Sequence, residues 1–232
     1  MMLDTIVRFF QEGGPFMYPI AAVLALGLAI TLERSVYLSG VRRRNRAAFE
    51  KGILPLLQKR DYSRAMKAAS NSDSAIASIM SAGIGRLLSN SRREDIEYAM
   101  EEGLMEVLPR LEKRTQYLAT LANIATLLGL LGTIIGLISA FTAVAAADPS
   151  QKASLLSGSI SVAMNTTAFG LMSAIPLLMF HAVLQTRTNE IVDSFEMAGV
   201  KLLNIVSDPG APPVSHAPAS RAPGPHARPS LA

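Results

Sequence analysis

The sequence predicts an all-α membrane protein with three transmembrane helices, two of them long and extending into a helical cytoplasmic domain. Two observations carry that expectation. No Asp, Glu, Lys or Arg occurs between Thr115 and Ala147, nor between Ala153 and Thr186, and each run exceeds the roughly 20 residues that a helix needs to cross hydrocarbon. Half of the residues are hydrophobic and only 17% are charged, a balance that would leave a soluble domain with an insoluble surface.

In chain order, residues 1–16 form a short amphipathic lead with Asp4, Arg8 and Glu12, ending in the Gly13-Gly14-Pro15 break and expected at the membrane surface. Residues 17–38 are the first transmembrane helix. Its apolar run, Met17 to Leu32, is closed by Glu33-Arg34, and interfacial Tyr18 and Tyr37 with a snorkelling Arg34 extend it toward a full span. A cleaved signal peptide would be led by basic residues. Here the basic cluster Arg42, Arg43, Arg44 and Arg46 follows the run instead, so the amino terminus is expected outside, in the periplasm, and the chain from about residue 39 in the cytoplasm.

Residues 39–114 read as a helical cytoplasmic domain: Ala47 to Leu57, a piece starting near Asp61, a small-residue helix from Ser74 to Leu88, and a long helix from about Arg92. Ser91-Arg92-Arg93-Glu94 matches a capping box, and Ile96, Met100, Leu104, Val107 and Leu111 keep helical spacing after it. Pro109 can kink this helix, but no stop signal separates it from the next apolar run. A continuous helix from the cytoplasm through the second span, 115–147, is therefore expected. Asp148-Pro149-Ser150 makes a periplasmic turn over 148–152. The third span, 153–187, returns and continues as a cytoplasmic extension over 188–206, where Ile191, Phe195, Ala198 and Leu202 hold the period. From 207 to 232 lies a Pro-rich tail, holding seven of the 13 prolines, which cannot form a core; it is expected to be disordered, with His216 and His226 solvated.

Composition also narrows the chemistry. The absence of cysteine removes disulfides and thiolate chemistry. The net charge of +4 sits beside the apolar runs, where membrane orientation accounts for it, so no nucleic-acid partner is expected. Glu101 and Glu102 occupy a solvated helical face with no nucleophile or metal-ligand set beside them, so neither enzyme activity, nor a cofactor, nor a bound metal is expected.

Inside the long spans, Gly129, Gly132 and Gly136 line one stripe, which lets another helix approach closely. With only three spans per chain, that partner is expected to come from oligomerisation. Thr126 and Thr133 share a face that Ala140 extends; Ser159, Thr166 and Ser173 repeat the spacing in the third span, beside a stripe of Thr167, Gly170 and Ala174. Hydroxyls commonly bond back to their own helix. Asn165 is different, because a carboxamide facing lipid is costly, so the turn from Asn165 to Thr167 is expected to face a helix or a wet cavity. Pro176 removes one helix hydrogen bond, and His181 lies near the inner interface. Neither span contains a carboxylate. If protons are conducted, another chain must supply the acid.

The stretches LATLANIATLLGLLGTIIGLISAF and SVAMNTTAFGLMSAIPLLM resemble the second and third spans of the MotA/TolQ/ExbB proton-channel family, and MYPIAAVLALGLAITLERSVYL resembles its first. The resemblance covers about residues 15–200 and is strongest toward the TolQ and ExbB branch, with a gliding-motility motor also compatible. It implies a homopentamer surrounding a TolR-, ExbD- or MotB-like single-span partner that carries an intramembrane Asp. It also implies an inner-membrane, ion-driven motor powering envelope transport, maintenance or motility. Thr133 and Thr167 match the family threonines that face the channel, and the ion implied is H+, with Na+ as the alternative. Two departures stand out: Val162 replaces the Glu of the ExbB pattern, and Thr126 replaces the common Pro before LLGLLGT. A non-conducting membrane scaffold or adaptor is the alternative reading.

Overall fold

The computed structural model describes residue 10, residues 13–89 and residues 91–207. The tail beyond Ser207, with His216 and His226, and most of the amino-terminal lead lie outside the described residues. Among these residues the chain forms helices α1 (Met17–Ala47), α2 (Leu54–Gln58), α3 (Tyr62–Ser70), α4 (Ala75–Leu88), α5 (Arg93–Glu112), α6 (Thr115–Ala146) and α7 (Lys152–Ser207), with no strand. Three helical stretches, Met17–Gln58, Arg93–Ala146 and Lys152–Ser207, are long and apolar enough to cross a membrane. The all-α, three-span architecture is thus the one that the charge-free runs imply.

The spans run in alternating directions. Gly14 faces Val162, Gly27 faces Leu177 and Arg42 pairs with Glu190 at 2.8 Å, so α1 and α7 advance side by side. Against α6 the order reverses: Phe16 lies against Gly132, and Glu33 pairs with Arg114. Because α1 begins level with Gly132, the hairpin of α6 and α7 projects about 20 Å beyond it at 1.5 Å per residue. Between 22% and 28% of the most apolar stretch of each span is buried within the chain. Leu127, Leu130, Ile138 and Phe141 on α6, with Met164, Met172 and Ile175 on α7, remain exposed, so lipid or other chains must cover them.

α1 passes into α2 through a π-helical turn, Ala48–Ile53. The wider turn falls at Gly52 and just before Pro55, which has no N–H to donate to the turn preceding it. The left-handed Arg60 (φ 58°) ends α2, and the Asp61 carboxylate starts α3 by accepting from the Arg64 N–H at 3.0 Å. The core of the domain beyond the spans gathers Phe49, Ile53 and Leu57 from the first rod, Ile76, Met80 and Ile84 from α4, Ile96 and Met100 from α5, and Phe195, Ala198 and Leu202 from α7. That list explains why α7 continues so far: its lower half is a core element of this domain.

Three expectations change. The helix expected to run unbroken from the cytoplasm into the second span is interrupted, since α5 ends at Glu112 and α6 starts at Thr115 across Lys113 (ψ 131°) and a left-handed Arg114 (φ 67°). Arg34, expected to snorkel, is only 4% exposed. Its guanidinium donates to the Leu111 carbonyl and stacks on Tyr37, 4.8 Å from the ring centre. A released carbonyl at the end of α5 gives the cation a stronger acceptor than water at the interface, and this contact accompanies the break. Finally, the cap of α5 is shifted by one residue: Arg92 is the N-cap and Asp95, rather than Glu94, accepts its backbone N–H at 3.0 Å.

Candidate functional site

The α6–α7 seam is the most extensive contact between elements, and its geometry follows from missing side chains. A methyl group on Gly170 would lie 2.8 Å from the Ala125 carbonyl and 3.0 Å from the Gly129 Cα; one on Gly129 would lie 3.3 Å from the Cα atoms of both Gly170 and Thr167. Those obstacles are backbone and cannot rotate away. Gly136 meets the Cβ of Ala163, and Gly132 the side chain of Thr166. The glycine stripe that was expected to recruit a second subunit is therefore occupied by the chain's own third span. Backbones brought this close gain van der Waals contact and leave polar groups within reach across the gap.

One polar group uses that reach. The Thr167 hydroxyl donates across the seam to the Gly129 carbonyl at 2.8 Å, the same carbonyl that the Thr133 N–H addresses in a regular α-helical ladder. Thr133 and Thr167 are thus linked through one peptide oxygen. Their side chains are placed differently: the Thr133 hydroxyl donates to Leu130 in its own helix at 2.6 Å, and Thr126 does the same to Ala122 at 3.1 Å. Each hydroxyl oxygen keeps lone pairs that can accept a proton or ligate a cation.

Thr166 is buried, with 2% exposure. Its hydroxyl donates to the Gly13 carbonyl at 2.6 Å and lies 3.0 Å from that of Val162. Asn165 is half-buried, and its side chain makes no hydrogen bond among the described residues. Ser173 is fully buried with an unpartnered hydroxyl oxygen. Pro176 sits inside α7 without ending it. The structure therefore brings together Thr167, Gly129, Gly170, Thr166 and Gly132, and leaves Thr126 bonded to its own helix one turn away.

Sequence reasoning overlooked the segment before α1. Gly13 receives the Thr166 hydroxyl, Phe16 sits against Gly132, and Phe10 meets Phe169 edge-on at 5.1 Å between ring centres. The described part of the lead packs on the hairpin itself. Its only sequence signal was Gly13-Gly14, where Gly14 adopts φ 74°, a turn that frees the Gly13 carbonyl from any helix.

These features define a polytopic helical membrane protein whose two long spans are locked through glycine, carry hydroxyls at the seam and lack acidic and basic side chains within the apolar runs. The profile of the MotA/TolQ/ExbB proton channel family matches residues 71–197, more than half of the chain, and the chain belongs to that family. A protein of Methanothermobacter thermautotrophicus described as an ExbB homolog in biopolymer transport is 27% identical over 85% of this chain and 71% of its own length. One described as ExbB-like 3 from Synechocystis is 28% identical over 76% of this chain and 83% of its own. The structure of C. jejuni MotAB aligns over 89% of this chain and 86% of that chain, with 16% identity and a TM-score of 0.48.

Proposed function

We propose that this chain is the stator subunit of a proton-driven motor in the bacterial inner membrane, with its amino terminus periplasmic and its carboxyl terminus cytoplasmic. In this reading five copies surround a TolR-, ExbD- or MotB-like partner, and the partner's single span brings an Asp to the hydroxyls of Thr133 and Thr167. Proton passage through that Asp drives envelope-spanning work. The observation that carries the proposal is the seam itself. Two adjacent charge-free spans present the Thr133 and Thr167 hydroxyls, each donating its proton to a backbone carbonyl and keeping lone pairs that can accept from a protonated carboxylic acid, and no group that can replace that acid. Family membership supports the proton as the ion.

The test reconstitutes the co-expressed complex in liposomes and follows proton uptake under an imposed potential. Thr167→Val keeps the shape and removes the hydroxyl, whereas Thr167→Ser keeps the hydroxyl. The expected result is a drop of about tenfold or more for Val, the effect of about 1.4 kcal/mol, with substantial flux for Ser and the same subunit ratio in both. Unchanged flux with both Thr133→Val and Thr167→Val would remove their assigned role. A purified complex that contains no second chain and passes no protons would favour the scaffold reading.

A further inference from the structure

Below the first span, the carboxyl-terminal ends of α1, α3 and α5 and the start of α4 line an open cavity of about 560 Å³, within the size range of small-molecule sites. The ion-pathway reading makes no use of it. Tyr37 stands at its upper end, close to the buried Arg34, and Arg44 and Arg110 line its sides.

In the wall sits Asn45, 97% buried given its 3% exposure. Its carboxamide oxygen accepts the Ile76 N–H at 3.4 Å, in the first turn of α4. That bond fixes the orientation of the amide, so the atom left over is a donor. The Nδ2 group has no hydrogen-bond partner, and a buried donor without an acceptor is costly. The local cap is unusual too. Ser74, the N-cap residue of the 14-residue α4, makes no side-chain bond to its own helix and instead meets the Ser72 hydroxyl at 3.0 Å.

We infer that this cavity binds a phosphate-bearing anion, with the free amide donor of Asn45, the Arg44 and Arg110 guanidiniums and the positive end of α4 converging on its oxygens. Asn45 Nδ2 is unpartnered, Arg44 uses only its Nε on the Gly40 carbonyl at 3.4 Å, and the first turn of α4 adds positive potential, so an oxyanion can engage them together. Two carboxylates also line the cavity, Asp73 and Glu106, and Glu106 lies 3.7 Å from Arg110. Both side chains of that pair are 73% exposed, so the pair is weakly held and Arg110 can turn to a stronger acceptor. The phosphate can come from a lipid headgroup entering at the Tyr37 end or from a soluble phosphate ester entering from the cytoplasm.

The full chain, purified in nanodiscs of phosphatidylcholine alone or with phosphatidylglycerol, distinguishes these sources. Thermal unfolding is recorded in each disc, with glycerol 3-phosphate titrated into the phosphatidylcholine discs. Stabilisation by phosphatidylglycerol only assigns a lipid headgroup; stabilisation by glycerol 3-phosphate assigns a soluble ester. Asn45→Asp retains the acceptor for Ile76 while turning the free donor into an anion. This variant and Arg44→Gln are each expected to weaken binding about tenfold, the loss of one charge-assisted contact, whereas Arg43→Gln, outside the cavity, leaves it unchanged. No stabilisation by either compound, or stabilisation that survives Asn45→Asp undiminished, overturns the proposal.

Discussion

The α6–α7 seam and the docking of α1 beside it solve the same problem by opposite means. The seam holds two helices together by leaving side chains out: Gly129 and Gly170 let backbones meet, while Gly132 and Gly136 make room for the short side chains of Thr166 and Ala163. α1 is held by large and charged groups: Leu177 packs over Gly27, Arg34 reaches the Leu111 carbonyl, Glu33 pairs with Arg114, and Arg42 with Glu190. A backbone contact has no rotamers and tolerates no addition. A contact through long side chains can lengthen, swing or change partner. The difference assigns rigidity to the hairpin that holds Thr133 and Thr167, and adjustability to the helix that leans on it.

That contrast can be broken most severely at Gly170. Gly170→Val should cost roughly 3 kcal/mol or more, at or above the upper end of overpacking penalties, because the obstructing atoms are backbone. Thermal unfolding in detergent should register a lowered transition; a wild-type melting curve would mean that the seam is not tight. A smaller loss is expected on the α1 side. Arg34→Met removes the donor to Leu111, costing roughly 1–3 kcal/mol, partly offset because a desolvated charge is removed as well. Amide hydrogen exchange should rise around residues 109–116 and stay unchanged at 125–135; equal increases in both would erase the distinction between the two contacts. The smallest effect belongs to Gly158→Ala. Nothing lies within 4 Å of the added methyl, so the change should be neutral or stabilising by up to about 1 kcal/mol through helix propensity, and a destabilised protein would place an unseen contact at the hairpin tip.

Different parts of this arrangement were legible to different degrees. Spans were readable because charge is excluded from hydrocarbon whatever the tertiary structure. The glycine stripe was readable as a surface, but its partner was not, since spacing reports which residues share a face and not which helix fills it. The break at Lys113-Arg114 left no mark because neither residue is a helix breaker: it coincides with Arg34 and Glu33, some 80 positions earlier, engaging Leu111 and Arg114. Arg34 itself was misjudged on the general rule that long cations reach for the interface. Here a carbonyl at the end of another helix lay closer. The cap of α5 slipped by one residue because Glu94 and Asp95 are adjacent carboxylates, and local sequence alone does not choose between them.

The two long helical routes through the protein also differ as machine parts. α7 is one 56-residue helix, about 84 Å from end to end. Its lower half belongs to the core of the domain beyond the spans and its upper half carries Thr167. Between these halves the helix is unbroken, and Pro176 is the one position there whose residue has no N–H for the ladder. The route through α5 and α6 has an elbow at Arg114. A push on α5 can be absorbed there by bending before it reaches Thr133. The two routes to the seam therefore differ at one place: α7 arrives as a single helix, whereas α5 and α6 meet at an elbow, so movement of the lower domain is taken up at Arg114 and leaves the close-packed seam intact.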